Sequence, residues 1–184
     1  MSDEKAKILK IDDVLELNLR IPDYQRPYKW TIKHVQQLLD DLLTHFRNQE
    51  QVYRIGTVVI HKDGKKFDIV DGQQRLITLS LLLHSLGSEK NLLNQPLTHS
   101  ISKNNVINNY EFIKNYSISD TKAFKKYLLE ICEMVYVELD DLDEAFQFFD
   151  SQNSRGKPLE SYDLLKAYHL REMKDKPKEI IHHC

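Results

Sequence analysis

The chain has 184 residues, of which 41% are hydrophobic and 29% charged, a composition that suits a single globular domain with its own core. Its formal net charge of −2 excludes an overall basic field for binding nucleic acid, so any such contact needs a local patch. Cys132 and Cys184 have neither metal-ligand nor disulfide spacing, and with no signal peptide or membrane-length apolar span we expect a cytoplasmic protein.

The first part of the chain predicts a short helix, an extended segment and a long amphipathic helix. Asp12 or Asp13 would cap the short helix through VLEL. Pro22 and Pro27 favour extended backbone around them. Thr31 is a good N-cap for the next helix, IKHVQQLLDDLLTHF, whose apolar residues recur on one face. That face consists of Val35, Leu38, Leu39, Leu42, Leu43 and Phe46.

The middle of the chain predicts a hairpin followed by a buried helix. Two β-rich runs, VYRIGTVVIHK and KKFDIVD, are joined by Asp63-Gly64, a hairpin turn signal. The helix that opens near Gln73 is apolar on nearly every side, which indicates the centre of the core.

The rear of the chain is richer in helical patterns. They recur at SKNNVINNYEFIKNY, TKAFKKYLLEICEM and DEAFQFFDSQN, whereas VYVELD alternates like a strand and SRGKPLE is typical of a loop. A last helix is expected from near Ser161. We therefore expect one α+β domain over residues 1–184, with a small mixed sheet in residues 1–86 and a mainly helical part in residues 100–175.

The five residues DGQQR, Asp71 to Arg75, stand where a strand gives way to that buried helix. Gly72 lets the backbone turn sharply, and the first backbone N–H groups of a helix attract phosphate. Arg75 offers a cationic contact to phosphate oxygens, and Asp71 is a candidate for holding Mg²⁺ or a water. Gln73 and Gln74 are candidates for contacts with phosphate, base or water. On these residues alone another reading stays open, in which Asp71 caps the helix, Arg75 pairs with an acid and the glutamines face solvent.

The segment DYQRPYKW places aromatic rings next to cations between two prolines. Such a pattern suits base stacking and phosphate contact, and equally suits a sheet edge whose aromatics belong to the core. Gln25 and Arg26 are the expected ligand contacts here, and Tyr28 and Trp30 the expected packing residues.

The loop NSRGKPLE is the third candidate contact region. Gly156 permits a left-handed backbone, and its neighbours could close over a triphosphate. A helix C-cap with solvated charges explains the same letters. The candidate contacts are Asn153, Arg155, Gly156 and Lys157.

Four segments in this order together resemble one family, the N-terminal domain of GmrSD-type modification-dependent restriction systems. They are IPDYQRPYKW (21–30), YRIGTVVI (53–60), DGQQR (71–75) and FFDSQNSRGKPLESYDLLKAY (148–168). The resemblance covers about Ile8 to about Arg171 and implies a core related to the ParB and sulfiredoxin-like fold.

The resemblance implies a nucleotide-binding and nucleotide-hydrolysing module of a phage-defence enzyme, with Mg²⁺ as cofactor and an NTP as substrate or effector. In such systems a separate C-terminal nuclease domain of the His-Asn-His type cuts DNA. No His-Asn-His constellation is visible in this sequence, so we expect no DNA cleavage by this chain alone. The implied partners are nucleotide, DNA in the full-length system, and that nuclease domain or subunit, and a homo-oligomer stays open. The implied catalytic residues are Asp71, also the metal ligand, and Arg75; the implied nucleotide contacts are Gln25, Arg26, Gly72, Gln73, Gln74, Arg75, Asn153, Arg155, Gly156 and Lys157.

Two alternatives stay open. One is a DNA-sensing module without turnover, which would use a local patch around Arg20, Arg26, Lys29 and Lys33 and would show steep salt dependence. The other is an inert fragment that works only with a nuclease domain missing from this chain.

Overall fold

The fold is known from a computed structural model. It describes residues 6–22, 25–90, 92–93, 100–141, 143–144 and 147. The elements in chain order are β1 (Ala6–Lys10), α1 (Ile11–Glu16), β2 (Leu19–Arg20), α2 (Ile32–Arg47), β3 (Tyr53–Asp63), β4 (Lys66–Asp71), α3 (Gln73–Ser85), α4 (Ser100–Asn115), α5 (Thr121–Glu130) and β5 (Cys132–Leu139).

The strands form one mixed five-stranded sheet in the order β1-β5-β3-β4-β2. The pairs β1–β5 and β3–β4 are antiparallel, and the pairs β3–β5 and β2–β4 are parallel. The expected α+β class with a small mixed sheet is confirmed. Strand β5 comes from the rear part of the chain and lies between β1 and β3, so the sheet draws on both parts.

Helix α3 forms the centre of the core on one side of the sheet. It is buried on nearly every side, as its uninterrupted apolar sequence predicts. Helix α2 adds its predicted apolar face, which is buried from Val35 to Leu43 at helical spacing. The opposite face of the sheet carries a second, smaller cluster of buried residues: Val59, Val70, Val135, Val137 and Leu139.

Most local predictions are confirmed, with differences at element ends. Thr31 is the N-cap of α2, and Gly64 turns the β3–β4 hairpin with φ 61°. Helix α1 is capped by Lys10, so Asp12 and Asp13 lie in its first turn instead of at the cap, where carboxylates favour the helix dipole.

Two strand assignments depend on pairing that the local pattern does not show. Strand β1 was not predicted, and its described partner is the distant β5. The predicted helix TKAFKKYLLEICEM is too long, because α5 ends at Glu130 and Cys132 already pairs with Tyr53 of β3.

The predicted helix DEAFQFFDSQN falls almost wholly outside the described residues, and the loop SRGKPLE and the helix from Ser161 lie outside them altogether. Within the described ranges no helix is both long and apolar enough to span a membrane.

Candidate functional site

The DGQQR turn joins the end of β4 to the start of α3. Gly72 caps the helix with φ 97°, a left-handed conformation, and offers no side chain to the first turn. A Cβ on Gly72 would lie 3.0 Å from the carbonyl oxygen of Thr57 and 3.2 Å from Cα of Val58. The turn therefore needs glycine both for its backbone conformation and for its close approach to β3.

A β-bulge aims the last residue of β4. Val59 of β3 pairs with Asp71, whereas the next residue of β3 pairs with Ile69, so Val70 is the extra residue. Gln25 supports this bulge, because its Nε2 donates to the carbonyl oxygens of Ile69 and, at 2.7 Å, of Val70. The predicted ligand contact Gln25 is thus buried against the strand that ends in the turn.

A second irregularity, between β3 and β5, brings Arg75 onto the sheet. The register shifts between Arg54 and Gly56, where Gly56 has φ 150°. A Cβ on Gly56 would lie 2.6 Å from Nη1 of Arg75, so the guanidinium rests on the bare backbone of this glycine. We call the place where β4 leaves β3, bounded by Gly56, Thr57 and Gly72, the notch.

Gln74 has a structural partner in the described residues. Its Oε1 accepts from the backbone N–H groups of Lys29 at 2.8 Å and Trp30 at 3.1 Å. Its Nε2 donates to the carbonyl oxygen of Pro27 at 3.4 Å. Gln74 therefore binds the extended segment Pro27–Trp30, which we call the tether.

The tether is also held by side chains of α3 and α4. The hydroxyl of Tyr28 is fully buried, lies 2.7 Å from Oγ1 of Thr78 and accepts from Nδ2 of Asn109 at 2.9 Å. Burial raises the pKa of Tyr28, so its hydroxyl ionises less readily than one in water. Asn105 donates to the carbonyl oxygen of Tyr28 at 2.9 Å. Tyr28 and Trp30 pack against the core, as the sequence predicts.

Two buried polar atoms beside the notch have no hydrogen-bond partner. They are Oγ1 of Thr57 and Oε1 of Gln73, in residues only 3% and 5% exposed. Buried polar atoms are normally paired, so each unpaired one calls for an explanation. The sequence analysis did not select Thr57, although Gly56 inside a strand pattern signals a bulge or a close approach at this point.

The remaining predicted contacts lie apart from the notch or outside the described residues. Arg26 is exposed on the segment that leads into the tether. Lys29 and Lys33 are also exposed, whereas Arg20 forms a two-pronged ion pair with Asp68. The candidates of the NSRGK loop lie outside the described residues: Asn153, Arg155, Gly156 and Lys157.

The donor set at the notch fits a hard cation better than a transition metal. No three His, Cys, Asp or Glu side chains of the described residues stand together as metal ligands. Mg²⁺ does not need such a set, since it takes one or two carboxylates and completes its shell with phosphate oxygens and waters. Asp71 would supply one carboxylate to such a cation, and the unpaired oxygens of Thr57 and Gln73 are of the same hard kind.

Comparison with protein families gives the class of this chain: a domain of restriction enzymes. Residues 8–170 match the family described as GmrSD restriction endonuclease, N-terminal domain. The match spans most of the chain, and the protein belongs to this family. No curated protein sequence matches the chain.

Proposed function

We propose that this domain binds a nucleoside triphosphate with Mg²⁺ at the DGQQR turn and hydrolyses it, as the regulatory part of a phage-defence, modification-dependent restriction system. A nuclease domain or subunit would cut the DNA in the full-length system. The observation that carries the proposal is the start of α3, where Gly72 leaves the first turn without a side-chain cap and Arg75 stands one turn in.

The charges and dipoles at this helix end suit a phosphate group. The first N–H groups of α3 carry the positive end of the helix dipole, which attracts anions. The side chain of Arg75 is exposed, although its guanidinium rests on Gly56, so phosphate oxygens can reach it from solvent. Arginine suits this role because its fork of donors matches phosphate geometry.

The proposed reaction is attack of water on the γ-phosphorus. The bond to the bridging oxygen breaks, and nucleoside diphosphate and inorganic phosphate leave. Arg75 and Arg26, with Arg155 from the predicted loop, would offset the negative charge that develops on the phosphate oxygens. Asp71 would hold Mg²⁺ or orient the water, and bound Mg²⁺ would neutralise phosphate charge.

Calorimetry and phosphate release test this function directly. Each of the four NTPs is titrated with Mg²⁺ into wild type, Arg75→Ala and Asp71→Ala, and free phosphate is then measured. We expect both variants to keep the wild-type circular dichroism spectrum and to lose turnover. Arg47→Ala and Asp13→Ala are matched controls, because both side chains are exposed on other helices. Full turnover in both site variants would contradict the proposal.

A second candidate is DNA sensing without turnover. It is supported by three exposed cations on or beside the tether, Arg26, Lys29 and Lys33. Arg20 adds less, because Asp68 and Asp63 offset its charge. Titration with duplex DNA at several salt concentrations separates the two functions, since this candidate predicts a steep salt slope and no need for nucleotide.

A further inference from the structure

Thr57, which bounds the notch, lies just beyond the end of the β3–β4 ladder. Thr57 pairs with Val135 of β5 on one side. On its other side the β4 ladder ends at the pair Val59–Asp71, and the chain turns away at Gly72. The close approach of Gly72 to the Thr57 carbonyl keeps Thr57 next to the start of α3.

The side chain of Thr57 shares a sheet face with Asp71. Val58 belongs to the core cluster on the helical side and Val59 to the cluster on the opposite face. Side chains alternate along a strand, so Thr57 lies on the face of Val59. Asp71 is paired with Val59 and shares that face, which makes Thr57 and Asp71 diagonal neighbours within reach of one ligand group.

The hydroxyl of Thr57 has no structural role among the described residues. Its Oγ1 is buried without a partner between valines, where a methyl group would fit without an unpaired polar atom. Thr78 shows the ordinary arrangement. Its Oγ1 donates to the carbonyl oxygen of Gln74 at 2.8 Å and lies 2.7 Å from the hydroxyl of Tyr28.

The other unpaired buried atoms of the described residues stand away from the turn or belong to groups with partners. Nδ1 of His61 lies 4.0 Å from a carboxylate oxygen of Asp68, further along β3. Asn109 leaves one oxygen unpaired, but its Nδ2 holds the tether. Tyr127 belongs to α5. Thr57 and Gln73 differ from these three because they flank Gly72.

We propose that the hydroxyl of Thr57 binds the phosphate end of the nucleotide, on the Asp71 side of the turn. This inference rests on the proposed function and adds a contact outside the DGQQR residues. A hydroxyl can donate to a phosphate oxygen, which the start of α3 would hold beside it. The unpaired Oε1 of Gln73 only accepts, so it would suit a water or a cation.

Isosteric substitution separates a ligand contact from a structural one. Thr57→Val removes the hydroxyl and keeps the shape, and Thr57→Ser keeps the hydroxyl. Each is titrated with Mg²⁺ and the NTP that wild type binds, and separately with Mg²⁺ and inorganic tripolyphosphate, and its thermal unfolding is recorded. Thr78→Val is the matched control, a buried threonine whose hydroxyl has partners.

We expect Thr57→Val to raise the Kd for both ligands roughly 10- to 100-fold, the usual effect of one hydrogen bond to a charged group. Its Tm should equal or exceed that of wild type, Thr57→Ser should bind nearly as wild type does, and Thr78→Val should lower the Tm. Unchanged binding in Thr57→Val, or a fall in its Tm as large as that of Thr78→Val, would overturn the inference and leave the proposed function standing. If Thr57→Val weakened binding of the NTP but not of tripolyphosphate, its hydroxyl would contact the sugar or base instead, and the phosphate assignment would be overturned. If wild type bound no NTP, the proposed function itself would fail, and this inference with it.

Discussion

The tether and the notch both adjoin the DGQQR turn, and they differ in whether their buried polar groups have hydrogen-bond partners. At the tether, Gln74 and the α4 asparagines engage backbone groups of an extended segment. At the notch, Thr57 and Gln73 each bury an oxygen without a partner. A paired network stabilises the fold, whereas an unpaired buried polar group lowers stability and is expected at a functional or strained site. Within this one motif, Gln74 thus holds the tether, whereas the side-chain oxygen of its neighbour Gln73 is buried without a hydrogen-bond partner.

The largest effect should come from closing the notch with a methyl group. Gly72→Ala forces a left-handed backbone on alanine, which costs about 1–2 kcal/mol, and a Cβ against the β3 backbone adds about 1–3 kcal/mol. We expect urea unfolding to show a free energy of unfolding lower by roughly 2–5 kcal/mol. Gly64→Ala is the control, since Gly64 also has positive φ but nothing within 4 Å of the added Cβ. Equal losses in the two variants would show that the close approach to Thr57 does not matter.

The tether should respond next. Gln74→Ala removes the acceptor of two backbone N–H groups, and we expect a loss of about 1–3 kcal/mol in the free energy of unfolding. Gln36→Ala, on the exposed side of α2, should change it by less than about 0.5 kcal/mol. Urea unfolding of both variants measures the difference. A Gln74 variant as stable as wild type would remove the contrast with the notch.

The contact between Arg75 and Gly56 should give a smaller and conditional effect. Gly56→Ala places a Cβ on the guanidinium, the flexible end of a side chain that can move, on top of a cost of about 1–3 kcal/mol for the backbone. We expect the loss in the free energy of unfolding to shrink by about 0.5 kcal/mol or more when Arg75→Ala is also present, because the clash is then absent. A double-mutant cycle by urea unfolding measures this coupling. Strict additivity would mean that Arg75 does not rest on Gly56.

Alkaline pH should weaken the common core that lies under both regions. Burial raises the pKa of Cys132 to about 12 and that of Tyr127 to about 12. Both groups ionise more readily in the unfolded chain, so the native state holds more protons and the free energy of unfolding falls as pH rises above about 9. Urea unfolding at pH 8 and pH 10.5 should show this fall, and Cys132→Ala should make it shallower. A free energy of unfolding that does not change with pH in this window would contradict the raised pKa values of Cys132 and Tyr127.

Strong local patterns predicted much of the fold. The periodic face of α2, the apolar run of α3 and the alternation of Val135, Val137 and Leu139 are all buried. Apolar side chains in such patterns must be buried in any arrangement of the elements. The turn at Gly64 and the cap at Thr31 are fixed by chemistry within a few residues. For the same reason the sequence placed Gly72 at a turn and Arg75 at the start of a helix.

Features that depend on distant partners escaped prediction. The N–H groups that Gln74 accepts lie 44 and 45 residues away in the chain, and no local pattern shows them. The start of β5 has a helical pattern, and only its pairing with β1 and β3 makes it a strand. The bulges at Val70 and Ile55, beside Asp71 and Gly56, likewise arise from the register between strands. The sequence could not single out Thr57, because what distinguishes its hydroxyl is the lack of a hydrogen-bond partner among the described residues.

The position of β5 in the sheet also bears on synthesis of the chain. Strand β1 pairs with β5, which is made more than a hundred residues later, as the pair Ala6–Val137 shows. During translation, helices α1 to α5 are made before β5. The edges of β1 and β3 that β5 will cover therefore stay unpaired until β5 has been synthesised. Such long-range pairing slows folding and exposes strand edges to other nascent chains. The protein should therefore depend more on chaperones during synthesis than a hairpin-built sheet of the same size would.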